Sequence, residues 1–161
     1  MVELLIVYYS RTGGSRQMAA AAAAAARKEA PTTLKTADQA GPDDLLRADG
    51  YIFCSPENLA AIAGVMKDFY DRCYYPMLGR IEGGPYAKRI CAGSDGENAA
   101  HQTARIATGW RLKEAQPPLI ICTHAQTPEQ ILADKTIPEE QLALCRDLGT
   151  ALAAGLSMGI F

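Results

Sequence analysis

Leu4-Leu5-Ile6-Val7-Tyr8-Tyr9, then Ser10-Arg11-Thr12-Gly13-Gly14-Ser15, then an alanine-rich run: this is the stretch on which the reading of the chain turns. The first six residues are a continuous apolar run, the pattern of a strand buried on both faces. The next six combine hydroxyls with two glycines, and Ala19 to Ala26 is the strongest helix-forming composition available. Strand, tight loop and helix N-terminus in that order make an anion site. The first turn of a helix leaves N–H groups without partners and carries the positive end of the helix dipole. Gly13 and Gly14 let the backbone curl round an oxygen-rich group, while Ser10, Thr12 and Ser15 add hydroxyl donors.

Three common phosphate binders are excluded by what is missing. No Lys-Ser/Thr pair closes the loop, as a nucleoside-triphosphate P-loop requires. The spacing G-x-G-x-x-G is absent, and no acidic residue is expected to meet a ribose after the second strand. The first strand ends in Tyr8-Tyr9-Ser10 rather than in the acids of a phosphorelay receiver. What remains is a cup for one terminal phosphate monoester, set against the plainer reading of a turn that caps a helix.

At 161 residues the chain has the length of a single domain spanning 1–161. A net charge of −2 offers no basic surface for nucleic acid. No apolar run is long enough to span a bilayer, and Met1 leads into a strand rather than a signal peptide. Five cysteines (Cys54, Cys73, Cys91, Cys122 and Cys145) are odd in number and lack C-x-x-C spacing. They read as small hydrophobes of a reducing, cytoplasmic compartment, with no metal site expected.

Strands and helices alternate along the chain. Residues 3–9, 32–36, 51–54, 89–93 and 119–122 are expected strands; 16–30, a short segment from Pro42, 65–75, 98–112 and 139–156 are expected helices. That alternation without repeats predicts an α/β fold, a doubly wound five-stranded parallel sheet with helices on both faces. Its ligand belongs at the carboxyl ends of the strands. Three polar loops fall there: Ser10 to Ser15, Ser55 to Ala61, and Ser94-Asp95-Gly96-Glu97-Asn98. In strand order 2-1-3-4-5 the strands bearing them are neighbours, so the loops converge.

With these motifs in place, the chain resembles the flavodoxin-fold FMN-binding proteins, a superfamily that includes flavodoxins and NAD(P)H-dependent FMN or quinone reductases. Tyr8 to Ser15 is similar to the family's phosphate loop, Ala48 to Pro56 to its third strand, and Gly64 to Arg72 to the helix that follows. The resemblance implies that Ser10, Arg11, Thr12, Gly13, Gly14 and Ser15 hold the FMN phosphate. It implies that Pro56, Glu57, Asn58, Leu59, Ala60 and Ala61 meet the pyrimidine edge of the ring. Ser94, Asp95, Gly96, Glu97 and Asn98 would close the other side.

Leu59-Ala60-Ala61 departs from the aromatic-Gly pair of related quinone reductases. Lacking glycine, the loop is expected to resist the positive φ used by one-electron shuttles, which favours two-electron traffic. Glu57, Asp95 and Glu97 are expected to place negative charge near the ring. His124, after the fifth strand, is a weak catalytic candidate, and Trp110 is expected in the core. The aromatic cluster from Tyr70 to Met77 reads as either core closure or a subunit contact, and a homo-oligomer, a dimer or tetramer, is expected from it. The implied activity is NAD(P)H-linked reduction of a quinone or other small acceptor. The alternatives are a flavodoxin-type electron carrier acting on a protein partner, and a non-catalytic module that binds FMN weakly.

Overall fold

Alternate residues of each strand point to opposite faces of the sheet, and the sequence loads the two faces differently. In a computed structural model describing residues 1–161, β1 is Leu4–Tyr8, β2 Thr32–Thr36 and β3 Gly50–Asn58. The short β4 is Ala61–Ile62, followed by β5 Pro85–Ala92, β6 Lys113–Glu114 and β7 Leu119–Cys122. The helices are α1 Gly14–Ala26, α2 Pro42–Arg47, α3 Gly64–Met77, α4 Glu97–Gly109, α5 Pro128–Leu132 and α6 Glu139–Ser157.

The parallel sheet runs β2-β1-β3-β5, with β6 and β7 side by side in sequence along the outer edge of β5. Pro117-Pro118 split this fifth strand in two. The order is the expected 2-1-3-4-5, with helices on both faces. β4 adds the one antiparallel element, pairing Glu57 with Ile62 and Asn58 with Ala61.

Leu5 and Val7, Tyr51 and Phe53, and Tyr86 and Ile90 face α3 and α4. Phe53 is the hub of that layer, edge-on to Tyr70 at 5.5 Å between ring centroids and also against Phe69, Tyr86 and Trp110. Leu4 and Ile6, Ile52 and Cys54, and Ala87 and Cys91 face α1 and α6. There the alanines of α1 permit a close helix crossing. A Cβ added at Gly149 would lie 2.7 Å from the Ala22 carbonyl oxygen, so only glycine fits on the α6 side.

The same layer buries Arg89 completely, held by the Lys88 carbonyl (3.0 Å) and Gln116 Oε1 (2.5 Å). Burial lowers its pKa. Four cysteines are buried and Cys122 is half-buried. Burial pushes the thiols of Cys73 and Cys91 up to about 11, which keeps them neutral packing groups.

The expected boundaries shift in two informative places. α1 starts at Gly14 rather than at residue 16, so Gly13 caps the helix and Gly14 is its first residue. β3 continues four residues past Cys54, because Ser55 and Pro56 still pair with Ile90 and Cys91. The cluster from Tyr70 to Met77 divides: Tyr70, Cys73 and Met77 enter the core, while Tyr74 and Tyr75 stay exposed. Trp110 is buried, as expected. No helix is long and apolar enough to cross a membrane.

Candidate functional site

β1 and β3 are hydrogen-bonded neighbours, as are β3 and β5, so their carboxyl ends lie side by side. A cavity of about 660 Å³ opens there. One wall is Ser10, Arg11, Thr12, Gly14 and Ser15; a second is Pro56, Glu57, Asn58 and Leu59. Cys91, Ala92 and Gly93, from the end of β5, form the floor. Beyond β7, Thr123, Ala125, Ile131, Leu132, Asp134 and Lys135 close the far side.

The first loop is built as a cup. Gly13 takes φ +98° as the residue capping α1, and its N–H donates to Ser10 Oγ at 3.0 Å, which draws the loop into a ring. Ser10 keeps its own hydroxyl proton to donate. The N–H groups of Gly14, Ser15 and Arg16 are in the first turn of α1 and have no carbonyl one turn back. Ser15 Oγ is fully buried, on a cavity-lining residue, and has no hydrogen-bond partner. Such an orphan is costly unless a ligand supplies the partner. Gly14 packs closely on the end of β5: a Cβ there would sit 2.5 Å from Cys91 Sγ, so the thiol would have to move aside for any larger residue.

The second wall is a β-hairpin. Leu59 and Ala60 form its two-residue turn, both in left-handed backbone with φ +52° and +60°. This overturns the expectation that the side chains of this loop keep it out of positive φ. The strain, about 1–2 kcal/mol per residue, is overcome by the β3–β4 pairing and by two bonds from α4. Asn98 Nδ2 donates to the Ala60 carbonyl, and Gln102 Oε1 accepts from the Ile62 N–H at 2.8 Å. Leu59 is left fully exposed at the tip.

Glu57 lines the cavity, and its charge is engaged by α4. Its carboxylate accepts from the N–H of Gly96 (2.9 Å) and of Ala99 (3.1 Å), capping α4 from across the sheet. Asp95 and Glu97 are exposed, and none of Ser94 to Asn98 lines the cavity. Ala60, Ala61 and His124 do not line it either; His124 is exposed, with φ +60°.

Two groups escaped sequence reasoning. Gln17 bridges the cup to the segment after α5, donating to the Gly13 and Lys135 carbonyls and accepting from the Ile137 N–H. Lys135 N–H in turn donates to the Thr12 carbonyl at 2.8 Å. These bonds fix the segment that follows Ile131 and Leu132, which line the cavity. Asp38 is the second group. It stands two residues past the end of β2 and lines a smaller cavity beside the cup, so an acidic residue does stand after the second strand.

Comparison with solved structures matches this architecture over nearly the whole chain. A flavodoxin from the domain Archaea superposes with a TM-score of 0.78 at 17% identity, covering 98% of this chain and 99% of that one. The chain has the flavodoxin fold. The flavodoxin, WrbA-like protein from Agrobacterium tumefaciens gives 0.71 at 17% identity, covering 99% of both chains. Rubredoxin oxygen:oxidoreductase from Desulfovibrio gigas gives 0.79 at 14%, with 98% of this chain lying on 37% of that one. No family model matches the sequence, and no curated relative does. At these identities the likeness establishes the fold, and the chemistry rests on the residues.

Proposed function

We propose that this flavodoxin-fold chain, one domain over residues 1–161, binds FMN and carries electrons to and from a redox protein. The observation that carries the reading is the cup joined to a cavity of flavin size, with Ser15 Oγ buried there and unpartnered. About 300–1,000 Å³ is the usual span of small-molecule sites, and 660 Å³ falls within it. Hydroxyls and free helix N–H groups suit a phosphate dianion. Pro56 and Leu59 on one lip, with Ile131 and Leu132 on the other, suit the flanks of an aromatic ring. Bound there, FMN supplies the redox chemistry, and the chain supplies orientation and electrostatics.

In this reading Thr12, Gly14 and Ser15 hold the phosphate, while the hairpin backbone from Pro56 to Leu59 offers N–H and C=O groups to the ring edge. The electron-carrier reading is favoured over NAD(P)H-dependent quinone reduction on two grounds. Leu59 and Ala60 already occupy the left-handed backbone whose supposed cost argued for two-electron traffic. His124, the one candidate for a catalytic acid or base, does not line the cavity. The archaeal neighbour named as a flavodoxin lends further support.

Titration of the apoprotein tests the cofactor. FMN should bind far more tightly than riboflavin, and Thr12→Ala should lower FMN affinity by about 1.5–3 kcal/mol while leaving riboflavin unchanged. Equal affinity for both flavins refutes the phosphate assignment. Potentiometry of the reconstituted protein should then resolve two separate one-electron waves. A single two-electron wave with rapid NADPH oxidation would restore the reductase reading.

A further inference from the structure

Arg89 lies within β5 with 1% of its surface exposed, and no carboxylate pairs with it. Its Nη1 and Nη2 donate to neutral oxygens, the Lys88 carbonyl and Gln116 Oε1, and its buried Nε has no partner. Burial opposes its charge, and the ionisable groups near enough to act on it are the thiols of Cys54 and Cys145. Burial raises the pKa of both thiols, so they stay neutral. A buried charge without a counter-charge is costly, and an apolar side chain of like size would fill the place without that cost. What the charge can serve follows from where it stands. Arg89 is opposite Cys54 in the β3–β5 register, and the Cys54 thiol donates to the Ser15 carbonyl at 3.5 Å. Ser15 is a wall of the cup. The guanidinium is therefore held behind the cup, inside the layer that α1 and α6 cover. Arg11 and Arg16 are also unpaired, but they are exposed on its outer side.

We infer that Arg89 sets the charge preference of the cup, favouring a phosphate dianion from inside the protein without touching it. The inference rests on the phosphate reading of the cup and adds the residue that decides what charge the cup accepts. The hydroxyls and helix N–H groups of the loop recognise the oxygens, yet none of them carries a full charge. A guanidinium keeps its charge even when buried, and it acts through a medium of low dielectric, where its attraction for an anion is several-fold stronger than in water. Salt screens exposed charges within about 10 Å at 0.1 M and screens buried ones much less. A phosphate monoester in the cup brings the counter-charge that Arg89 lacks within the fold. Riboflavin, with the same ring and no phosphate, brings none.

The ratio of FMN to riboflavin affinity, read by fluorescence titration of the apoprotein, isolates the effect, because damage to the ring site weakens both flavins alike. Arg89→Met should reduce that ratio by about tenfold. Arg89→Gln keeps a hydrogen-bonding group but not the charge, and should show the same loss. A third measurement needs no variant. The parent's ratio should survive a rise from about 0.05 M to about 0.5 M salt, which screens the exposed Arg11 and Arg16. A ratio unchanged in Arg89→Met, retained in Arg89→Gln, or abolished by salt in the parent overturns the inference and leaves the phosphate cup standing. Equal affinity of the parent for both flavins at low salt overturns the phosphate reading itself, and the inference with it.

Discussion

Glu57→Ala removes the tie between the hairpin and α4, and its cost follows from the bonds it breaks. The carboxylate accepts from the N–H of Gly96 at 2.9 Å and of Ala99 at 3.1 Å. Hydrogen bonds to a charged group contribute about 1.5–3 kcal/mol each, and a carboxylate at a helix N-terminus about 0.3–1 more. Glu57 is half-exposed, so water replaces part of what is lost. The expected loss is about 2–3 kcal/mol, and Glu57→Gln, which keeps an acceptor but not the charge, should lose about half as much. Urea denaturation reads this as a lower midpoint at unchanged slope. Hydrogen exchange should quicken at the Gly96 and Ala99 amides, which report the cap directly. A Glu57→Ala variant within about 0.5 kcal/mol of the parent, the range of ordinary surface changes, would refute the cap.

Three further outcomes are expected. Ala60→Gly should raise stability by about 1 kcal/mol by relieving left-handed strain, as measured by denaturant midpoint; a loss would show that the turn is not strained. Gly149→Ala should destabilise by about 2–4 kcal/mol, because its Cβ meets the backbone of Ala22 rather than a movable side chain; a neutral result in thermal melting would mean that α1 and α6 can part. Asp44 is buried, which alone would raise its pKa, yet Lys35, the Gly41 N–H and Arg47 together hold it below its ordinary 3.8. Its contribution is full above that value and lost as the pH falls through the lowered folded-state value, so Asp44→Asn should flatten the acid limb of the stability curve. An unchanged acid limb would remove Asp44 from that role.

The parts legible in the sequence are those whose cause is local. Leu4 to Ser15 announces strand, loop and helix through adjacent residues, and the structure follows them. The hairpin was obscured because Ser55-Pro56 reads as the end of a strand. Its register is set instead by Ile90 and Cys91 on β5, more than thirty residues away. No local signal marks Leu59-Ala60 as a left-handed pair, a turn usually built from Asn and Gly; bonds from α4 impose it. Gln17 and Lys135 meet across 118 residues, a pairing that no motif encodes. The end of β2 at Thr36 was legible, but not that Asp38 lines a cavity beside the cup, because the other walls of that cavity come from distant segments. α5 is different. Thr127 to Gln130 carries a capping box, and that signal was available in the sequence.

Pro117-Pro118 has a consequence for the molecule in crowded solution. A sheet with an open edge invites a strand from another copy, and the polymer that grows from such additions is the hazard of this fold class. Here the outer edge is broken into β6, of two residues, and β7, of four, with two residues between them that have no N–H to offer. An incoming strand finds no ladder long enough to hold it. Self-association by strand addition is thus discouraged along this edge of the sheet.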